Sequence, residues 1–157
     1  MTTKIRVAAA LSAIMMLFVV SCERAEIVDR YYSSYEQLGT SDEPGNWLPT
    51  FIPRSAVEIR ARYKIDTGAE VLMFNSGKSG ELSVMDHCKK ATIGDLQLPP
   101  RGFLGVGWWP DSLHRNPNQN EGQERYKFYT CERQAFLALE QKESGAIVYY
   151  WRISLTE

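Results

Sequence analysis

The clearest pattern along the chain is a strict alternation of apolar and basic residues between positions 59 and 65. Ile59, Ala61, Tyr63 and Ile65 would lie on one face of a β-strand, and the bases between them would lie on the other. This stretch therefore predicts a half-buried strand. We interpret its basic face as solvated surface rather than as a binding patch.

A turn and a second strand follow this alternating stretch. Asp66, Thr67 and Gly68 have typical turn chemistry, and the apolar run at residues 71–74 has the length of a short strand. Together the two strands predict an antiparallel hairpin.

The C-terminal third of the chain has three further runs rich in β-branched and aromatic residues. They lie at Tyr126–Cys131, 135–139 and 146–155, with short polar segments between them. The last run is apolar almost throughout, which is typical of a strand with neighbours on both sides. The pattern predicts a meander whose final strand is central.

Helical spacing is found in two other stretches. Val28, Tyr31, Tyr32 and Tyr35 would share one face of a helix over residues 23–38, which Gly39 could end. A second short helix is predicted over 81–91, with Leu82, Met85 and Cys88 facing inward, and a single helical turn at 53–56.

Residues 47–53 are apolar, but Pro49 and Pro53 exclude a central strand, so this stretch is predicted to lie extended over the core edge. In total, the pattern predicts an α+β fold. It would have a mostly antiparallel sheet of about five strands and two or three short helices.

The N-terminus carries a targeting pattern. Lys4 and Arg6 precede an uncharged run from 7 to 20, which is too short to span a bilayer comfortably. The run ends in Val-Val-Ser-Cys at 19–22, which resembles the bacterial lipobox. That resemblance implies cleavage before Cys22 and lipidation of its thiol, whereas a plain signal peptide or membrane anchor is the alternative.

Residues 1–21 are therefore predicted to be a lipoprotein signal peptide, 22–30 a lipidated tether and 31–157 a single α+β domain. Acyl chains on Cys22 would anchor the protein stably to a membrane surface. Glu23, a residue other than Asp after the cysteine, implies the periplasmic side of the outer membrane. The inner membrane is the alternative.

Charge narrows the range of partners. Removal of residues 1–21 lowers the basic residues from 18 to 16 against 19 acidic ones, a net charge of about −3. An acidic domain is a poor electrostatic partner for nucleic acid, so we expect no nucleic-acid binding.

Two cysteines remain after lipidation of the first. In an oxidising compartment, Cys88 and Cys131 are expected to form one disulfide. The alternative is a pair of free thiols, one of them a nucleophile.

Several segments resemble a family of uncharacterised bacterial envelope lipoproteins. The shared positions are Trp47-Leu48-Pro49, Ile52-Pro53, Ser55-Ala56, Ile59, Asp66-Thr67-Gly68, Cys88, Trp108-Trp109-Pro110, Leu113, Tyr129, Cys131 and Tyr150-Trp151. The resemblance supports the pairing of Cys88 with Cys131, and it implies no catalytic activity.

One string has the form of a catalytic motif. Residues 66–69, Asp-Thr-Gly-Ala, resemble the turn of retroviral-type aspartic proteases, in which two subunits each supply one aspartate. The same string is good hairpin chemistry, and we favour that interpretation of Asp66. His87 and His114 have no second ligand at metal spacing, so neither a metal site nor another cofactor is predicted.

Tryptophans provide the candidate recognition surface, because this residue is frequent in binding hot spots. Trp47, Trp108 and Trp109 mostly suit the edge of a small core. The exception we favour is Trp109, which lies close to a polar loop at 114–124 that is predicted to be exposed. Trp108, Trp109, Asp111 and His114 are accordingly the predicted partner-binding residues.

These patterns predict a non-catalytic, lipid-anchored protein facing the periplasm. It would bind a periplasmic or incoming toxic protein as an inhibitor or immunity-type factor. The alternatives are a structural accessory of the envelope and, less favoured, a dimeric aspartic protease that uses Asp66.

Overall fold

The computed structural model describes residues 27–40, 48–77, 86–114 and 122–153. Their core element is one seven-stranded sheet in the order β1-β2-β3-β7-β6-β5-β4, and every neighbouring pair is antiparallel. The strands are β1 Ile27–Ser34, β2 Val57–Lys64, β3 Ala69–Asn75, β4 Cys88–Ala91, β5 Tyr126–Cys131, β6 Ala135–Lys142 and β7 Gly145–Arg152.

The predicted α+β class is wrong. All five predicted strands are present, but β1 and β4 add two more, and the described part of the chain contains no α-helix. Its helical segments are short 3-10 turns at Tyr35–Thr40, Ile93–Asp95, Phe103–Gly105 and Asp111–Leu113. At residues 53–56, where a helical turn was predicted, the chain makes one tight turn that the Ala56 N–H closes on the Pro53 carbonyl.

The helix predicted over 23–38 is replaced by β1 and the 3-10 turn after it. The spacing of Val28, Tyr31 and Tyr32 also fits a strand, since β-branched and aromatic side chains pack well on a pleated surface. Pairing with β2 decides between the two, because Val28 lies opposite Tyr63 and Tyr32 lies opposite Ile59. β1 begins at Ile27, so residues 27–30 of the predicted tether belong to the sheet.

The prediction of a helix over 81–91 is also wrong for the C-terminal end of that stretch. Cys88–Ala91 is strand β4, which pairs with β5 at the edge of the sheet. Leu82 and Met85 lie outside the described residues. The long connection from β4 to β5 explains why local pattern missed this strand: its partner is about 40 positions away in sequence.

The hairpin of β2 and β3 is confirmed. The Gly68 N–H donates to the Lys64 carbonyl at 2.9 Å, and Gly68 has a φ of 65°, which a residue without Cβ adopts at little cost. Ile59, Ala61 and Tyr63 are buried as predicted, but Ile65 is 42% exposed because the strand ends before it.

The centre of the sheet is covered on both faces, and neither cover contains an α-helix in its described part. On face I, the segment 48–56 and the turn Tyr35–Thr40 cover a cluster that includes Ile59, Phe74 and Val148. On face II, the segment 93–114 covers a cluster built around Trp151. A sheet needs such cover to bury its apolar side chains.

Prolines explain the irregular form of these covers. Five of the seven prolines lie in them, and Pro99 is fully buried. Proline cannot donate a backbone hydrogen bond and blocks helical continuation. As predicted, 48–53 lies over the core edge, where Phe51 and Ile52 are buried.

A disulfide links the edge strand to its neighbour. Cys88 and Cys131 are direct partners in the β4–β5 ladder, with Cα atoms 4.2 Å and sulfur atoms 2.01 Å apart. This is the pair that the sequence favoured, although it joins two strands rather than a helix and a strand.

The predicted signal peptide, Cys22 and Trp47 lie outside the described residues. Within the described ranges, no helix is long and apolar enough to cross a membrane.

Candidate functional site

Trp109, the residue favoured as a partner contact, lies in the core of face II. Its side chain is 5% exposed, and its ring packs edge-on against Tyr149 and Trp151 with centroids 5.7 and 5.8 Å away. The indole N–H donates to the Leu113 carbonyl at 3.5 Å. Trp109 therefore stabilises the cover of face II and is not available for direct contact with a partner.

The other predicted partner-binding residues differ in exposure. His114 is 7% exposed, and its Nδ1 lies 3.1 Å from the Pro100 carbonyl oxygen; since a carbonyl only accepts, Nδ1 carries the proton. The prediction that this residue is exposed is wrong. Trp108 is half-buried and Asp111 is exposed, so a partner-binding role stays a prediction for these two residues.

Asp66 occupies the β2–β3 turn as an ordinary exposed residue. Its side chain is about half exposed, and one carboxylate oxygen lies 3.3 Å from Lys64 Nζ. A shared-proton dyad needs two carboxylates held together away from water. The position of Asp66 supports the turn interpretation.

The bases of β2 each have a partner within the chain. The Arg60 guanidinium lies 5.7 Å from the centroid of the Tyr31 ring, and Arg62 donates twice to the Asp29 carboxylate. The hydrogen bonds from Arg62 hold the pKa of Asp29 below its usual value. These contacts favour the structural interpretation of the basic face.

The apolar side chains that remain exposed are concentrated beside these bases. Among the described residues, the exposed large apolar side chains are Ile27, Tyr31, Val57 and Ile65, at 40–60% exposure. All four lie on β1, on β2 or directly after β2. We call Ile27, Tyr31 and the outer edge of β1 the β1 surface.

The outer edge of β1 has no neighbouring strand in the described part of the chain. Side chains take some of its backbone groups: the Ser33 N–H donates to Gln37 Oε1 at 2.8 Å, and Arg30 donates to the Asp29 carbonyl at 2.9 Å. Such local hydrogen bonds make a strand edge less available for pairing, but they do not cover it.

A groove of about 650 Å³ opens on face II next to Ile27. Arg62 and Lys64 lie on one side, and Phe103 and Gly105 on the other. The groove extends the β1 surface toward the cover of face II.

A second cavity lies on the opposite face, beneath the cover of face I. This Glu70 cleft has a volume of about 210 Å³ and is lined by Leu48, Pro49, Thr50, Phe51, Glu70, His87, Cys131, Glu132, Arg133, Tyr150 and Arg152. It combines an apolar wall with acidic and basic groups.

Glu70 is the buried acid of this cleft, and it has one unpaired oxygen. Its Oε2 lies 3.3 Å from Arg152 Nη2, whereas Oε1 is buried and has no hydrogen-bond partner among the described residues. Arg152 is held in turn by the Gly68 carbonyl, which accepts from Nε at 3.0 Å. Burial raises the pKa of Glu70 to about 7, although Arg152 and the Tyr150 hydroxyl oppose part of the shift.

Glu140 is another buried carboxylate, and its surroundings differ from those of Glu70. Lys142 donates to its Oε1 at 2.6 Å, and Arg125 lies 3.6 Å from the same atom. The two carboxylates therefore differ: Glu140 lies beside two cations, whereas the second oxygen of Glu70 has no hydrogen-bond partner among the described residues. Buried carboxylates normally have their hydrogen-bonding capacity satisfied, so Glu70 is an exception within the described part of the chain.

Backbone strain lies at the mouth of the Glu70 cleft. Arg133 and Gln134, in the β5–β6 turn, have φ values of 59° and 57°, in the left-handed region that glycine and asparagine favour. Strained residues of this kind are often found at functional sites.

Sequence reasoning missed this cleft. Glu70 follows Ala69 in an apolar strand, where a lone acidic residue is a weak signal of burial with a partner. Arg152 lies 82 positions later, and only the β3–β7 register brings the two together. No group of three or more His, Cys, Asp or Glu side chains converges within the described ranges in a way that could hold a metal ion.

Comparison with protein families gives one match. The model of the YbbD head domain, a bacterial family, matches residues 26–75. The matched stretch spans β1, β2 and β3, which are neighbours at one side of the sheet, and leaves β4 to β7 unmatched. No curated protein and no solved structure matches the chain. The chain is thus similar to this family over less than half its length.

Proposed function

We propose that this protein is a lipid-anchored bacterial envelope lipoprotein that binds another protein without catalysing a reaction. Within this class we propose an inhibitor or immunity-type role toward a periplasmic or incoming toxic protein. Cys22 would carry the lipid and place the domain at the periplasmic side of the outer membrane.

The observation that carries the proposal is the β1 surface. Exposed aromatic and aliphatic side chains beside an unpaired strand edge are typical of protein interaction sites. A partner could add an extended segment to β1 and place its own apolar side chains against Tyr31 and Ile27.

The position of the β1 surface suits a membrane-anchored binder. Ile27 is five residues after Cys22, so at most about 18 Å of extended chain separates them. A partner bound to β1 would therefore meet the protein at the membrane surface.

A capture experiment with the full chain in detergent tests the binding role. We expect one stoichiometric periplasmic or incoming protein to be captured, and its capture to be lost with Tyr31→Lys and Ile27→Asp. Val57→Asp is the matched control, because Val57 is also exposed, at 40%, but lies at the far end of β2 from the groove.

A growth competition test separates inhibition from a structural role. Deletion of the gene should make cells sensitive to toxin-producing neighbours, and the wild-type chain but not Tyr31→Lys should restore protection. Unchanged sensitivity together with no captured protein would reject the inhibitor role in favour of a structural accessory. Cys22→Ser should release the protein from membranes.

A further inference from the structure

We propose that the groove between strand β2 and the turn Phe103–Gly105 binds a free fatty acid, which is a single alkyl chain that ends in a carboxylate. In this arrangement the carboxylate pairs with the Lys64 ammonium group, and the chain lies against Ala69, Ile153 and Phe103. The site is distinct from the protein-binding role proposed above, because Tyr31 does not line the groove.

The groove follows one row of residues across the sheet. Ile27 is paired with Lys64, and Lys64 is paired with Ala69. Ile153, directly after β7, lines the same groove, and β7 is the next neighbour of β3. Side chains of residues directly opposite in antiparallel strands lie on the same face. The row therefore places one basic side chain between apolar ones on face II.

The part of the groove beyond Lys64 is apolar and open. The sheet contributes Ala69 and Ile153, and the turn contributes Phe103. Gly102 leaves space beside them, since a Cβ there would meet nothing within 4 Å. The groove volume of about 650 Å³ lies within the range of about 300–1,000 Å³ that is usual for ligand sites. An alkyl chain would bury apolar surface along this path without needing directional contacts.

Lys64 is the group that would hold the carboxylate. Its ammonium has three donors, and its Nζ lies 3.3 Å from one carboxylate oxygen of Asp66. Both side chains reach solvent, with 30% of Lys64 and 51% of Asp66 exposed. Exposed ion pairs of this kind are weak. A ligand carboxylate could therefore share Lys64 with Asp66 or replace it.

The charges that line the groove favour an anionic ligand. Lys64 and Arg62 are basic, and no acidic side chain of the described ranges lines the groove. Arg62 is held in place by Asp29, to which its Nε and Nη2 donate. Its Nη1 is directed to the turn, because a Cβ at Gly105 would lie 3.7 Å from it. A cationic ligand would meet both bases at close range, whereas an anion is attracted by them.

The dimensions of the groove suit one alkyl chain rather than two. From β2 to β7 the row crosses two strand spacings, about 10 Å. An extended chain advances about 1.2 Å per bond, so this distance corresponds to about eight bonds. A phospholipid has two chains, and acyl chains on Cys22 would have no carboxylate for Lys64. A free fatty acid has one chain and one carboxylate.

The proposed lipid anchor would place the groove close to a source of this ligand. Ile27 is five residues after Cys22, so the groove would be held near a membrane. Fatty acids partition into membranes because their chains leave water. The contacts of the groove with the ligand do not themselves depend on lipidation of Cys22.

Calorimetric titration of the full chain in a non-ionic detergent tests the proposal, with octanoate as the probe. Two compounds with the same chain serve as controls: 1-octanol has no charge, and octylamine has the opposite charge. We expect octanoate to bind and both controls to bind at least about fivefold more weakly, since neither can form the charged hydrogen bond with Lys64. A titration of detergent without protein corrects for partition into the micelles.

Chain length provides a second measurement of the groove. From hexanoate to decanoate, affinity should rise about two- to fourfold per added carbon, because each carbon buries more apolar surface. It should rise little from decanoate to dodecanoate, since the longer chain extends beyond Ile153. Comparison of protein variants in the same detergent separates this effect from micelle partition.

Variants assign the two ends of the ligand. Lys64→Gln should weaken octanoate binding at least about fivefold and remove the preference over 1-octanol. Asp66→Asn should strengthen octanoate binding about twofold, because it removes a competing carboxylate. Phe103→Ala should weaken octanoate and 1-octanol alike. Lys90→Gln, in an exposed lysine of β4 outside the groove, is the matched control and should change none of these affinities.

Three outcomes would overturn the proposal. They are no heat with octanoate beyond the detergent blank up to about 10 mM, equal affinity for octanoate and 1-octanol, or unchanged octanoate binding in Lys64→Gln. Because Lys64 is exposed, its variant tests the site even if Phe103→Ala lowers the thermal midpoint. Tyr31→Lys should abolish protein capture and leave octanoate binding unchanged, so the two proposals fail separately.

Discussion

Glu70 and Arg152 lie directly opposite each other in the β3–β7 ladder, and their side chains form a buried ion pair with Oε2 and Nη2 3.3 Å apart. Arg152 does not satisfy the whole carboxylate, because Oε1 of Glu70 has no hydrogen-bond partner in the described part of the chain. A buried pair of this kind is a weak source of stability, since desolvation offsets the attraction between the charges.

Folding stability should fall as pH rises through the range in which Glu70 titrates. Its pKa is about 7 in the folded protein against an ordinary value of 4.5, so the folded state binds more protons between these values. The free energy of unfolding should decrease by about 2.5 kcal/mol from about pH 5 to about pH 8, and Glu70→Gln should remove that part of the decrease. Urea unfolding of both proteins at the two pH values measures it. An equal decrease of the unfolding free energy with pH in the two proteins would contradict its assignment to Glu70.

Loss of the disulfide should destabilise the protein strongly. Cys88 and Cys131 are 43 positions apart, and closure of such a loop corresponds to about 4 kcal/mol in the chain-entropy model. Cys88→Ala combined with Cys131→Ala should lower the free energy of unfolding by this order, and reduction of the wild-type protein should lower it similarly. A reduced protein as stable as the oxidised one would show that the bridge has no such role.

Trp109→Ala should destabilise the domain rather than remove a surface contact. Deletion of a large buried aromatic side chain costs about 3–5 kcal/mol, whereas Trp108 is only half-buried and its replacement should cost less. Denaturant unfolding of both variants provides the comparison. Partner capture is informative only with Trp108→Ala and Asp111→Ala, because Trp109→Ala would also disturb the fold.

Gly145→Ala should disrupt the start of β7. A Cβ at this position would lie 2.6 Å from the backbone carbon of Gly77, and the φ of 152° is unfavourable for other residues. Overpacking against backbone costs about 1–3 kcal/mol. Gly107→Ala is the control, because a Cβ there meets nothing within 4 Å. A thermal midpoint unchanged in Gly145→Ala would argue against this close approach.

The local sequence pattern was sufficient to predict strands that pair with their neighbours in sequence. The β2–β3 hairpin has an alternating pattern along β2 and its turn residues at 66–68. The meander of β5, β6 and β7 has short polar turns. In both cases the interactions that decide the structure span only a few residues. The central place of β7 also followed from its composition, since a strand with neighbours on both sides and covered faces excludes polar residues.

The local sequence pattern did not predict β1 and β4, because the strands with which they pair are distant in sequence. The apolar spacing at 27–35 is compatible with a helix or a strand, and only pairing with β2 makes it a strand. The predictions that Trp109 is a surface contact and that His114 is exposed failed for a related reason. Trp109 is adjacent to polar residues in sequence, yet the path of segment 93–114 across face II buries it.

The sequence by itself determined the hairpins, the central strand and the favoured cysteine pair, because each depends on neighbouring residues or on residue type; the lipid signal stays a prediction. Only the tertiary structure decided that the domain is a seven-stranded sheet without α-helix in its described part, and that Glu70 meets Arg152 in a cleft beside Arg133. The physical reason is that antiparallel pairing joins residues many positions apart. Register, burial and the ionisation of a carboxyl group are properties of those distant contacts and not of the local pattern.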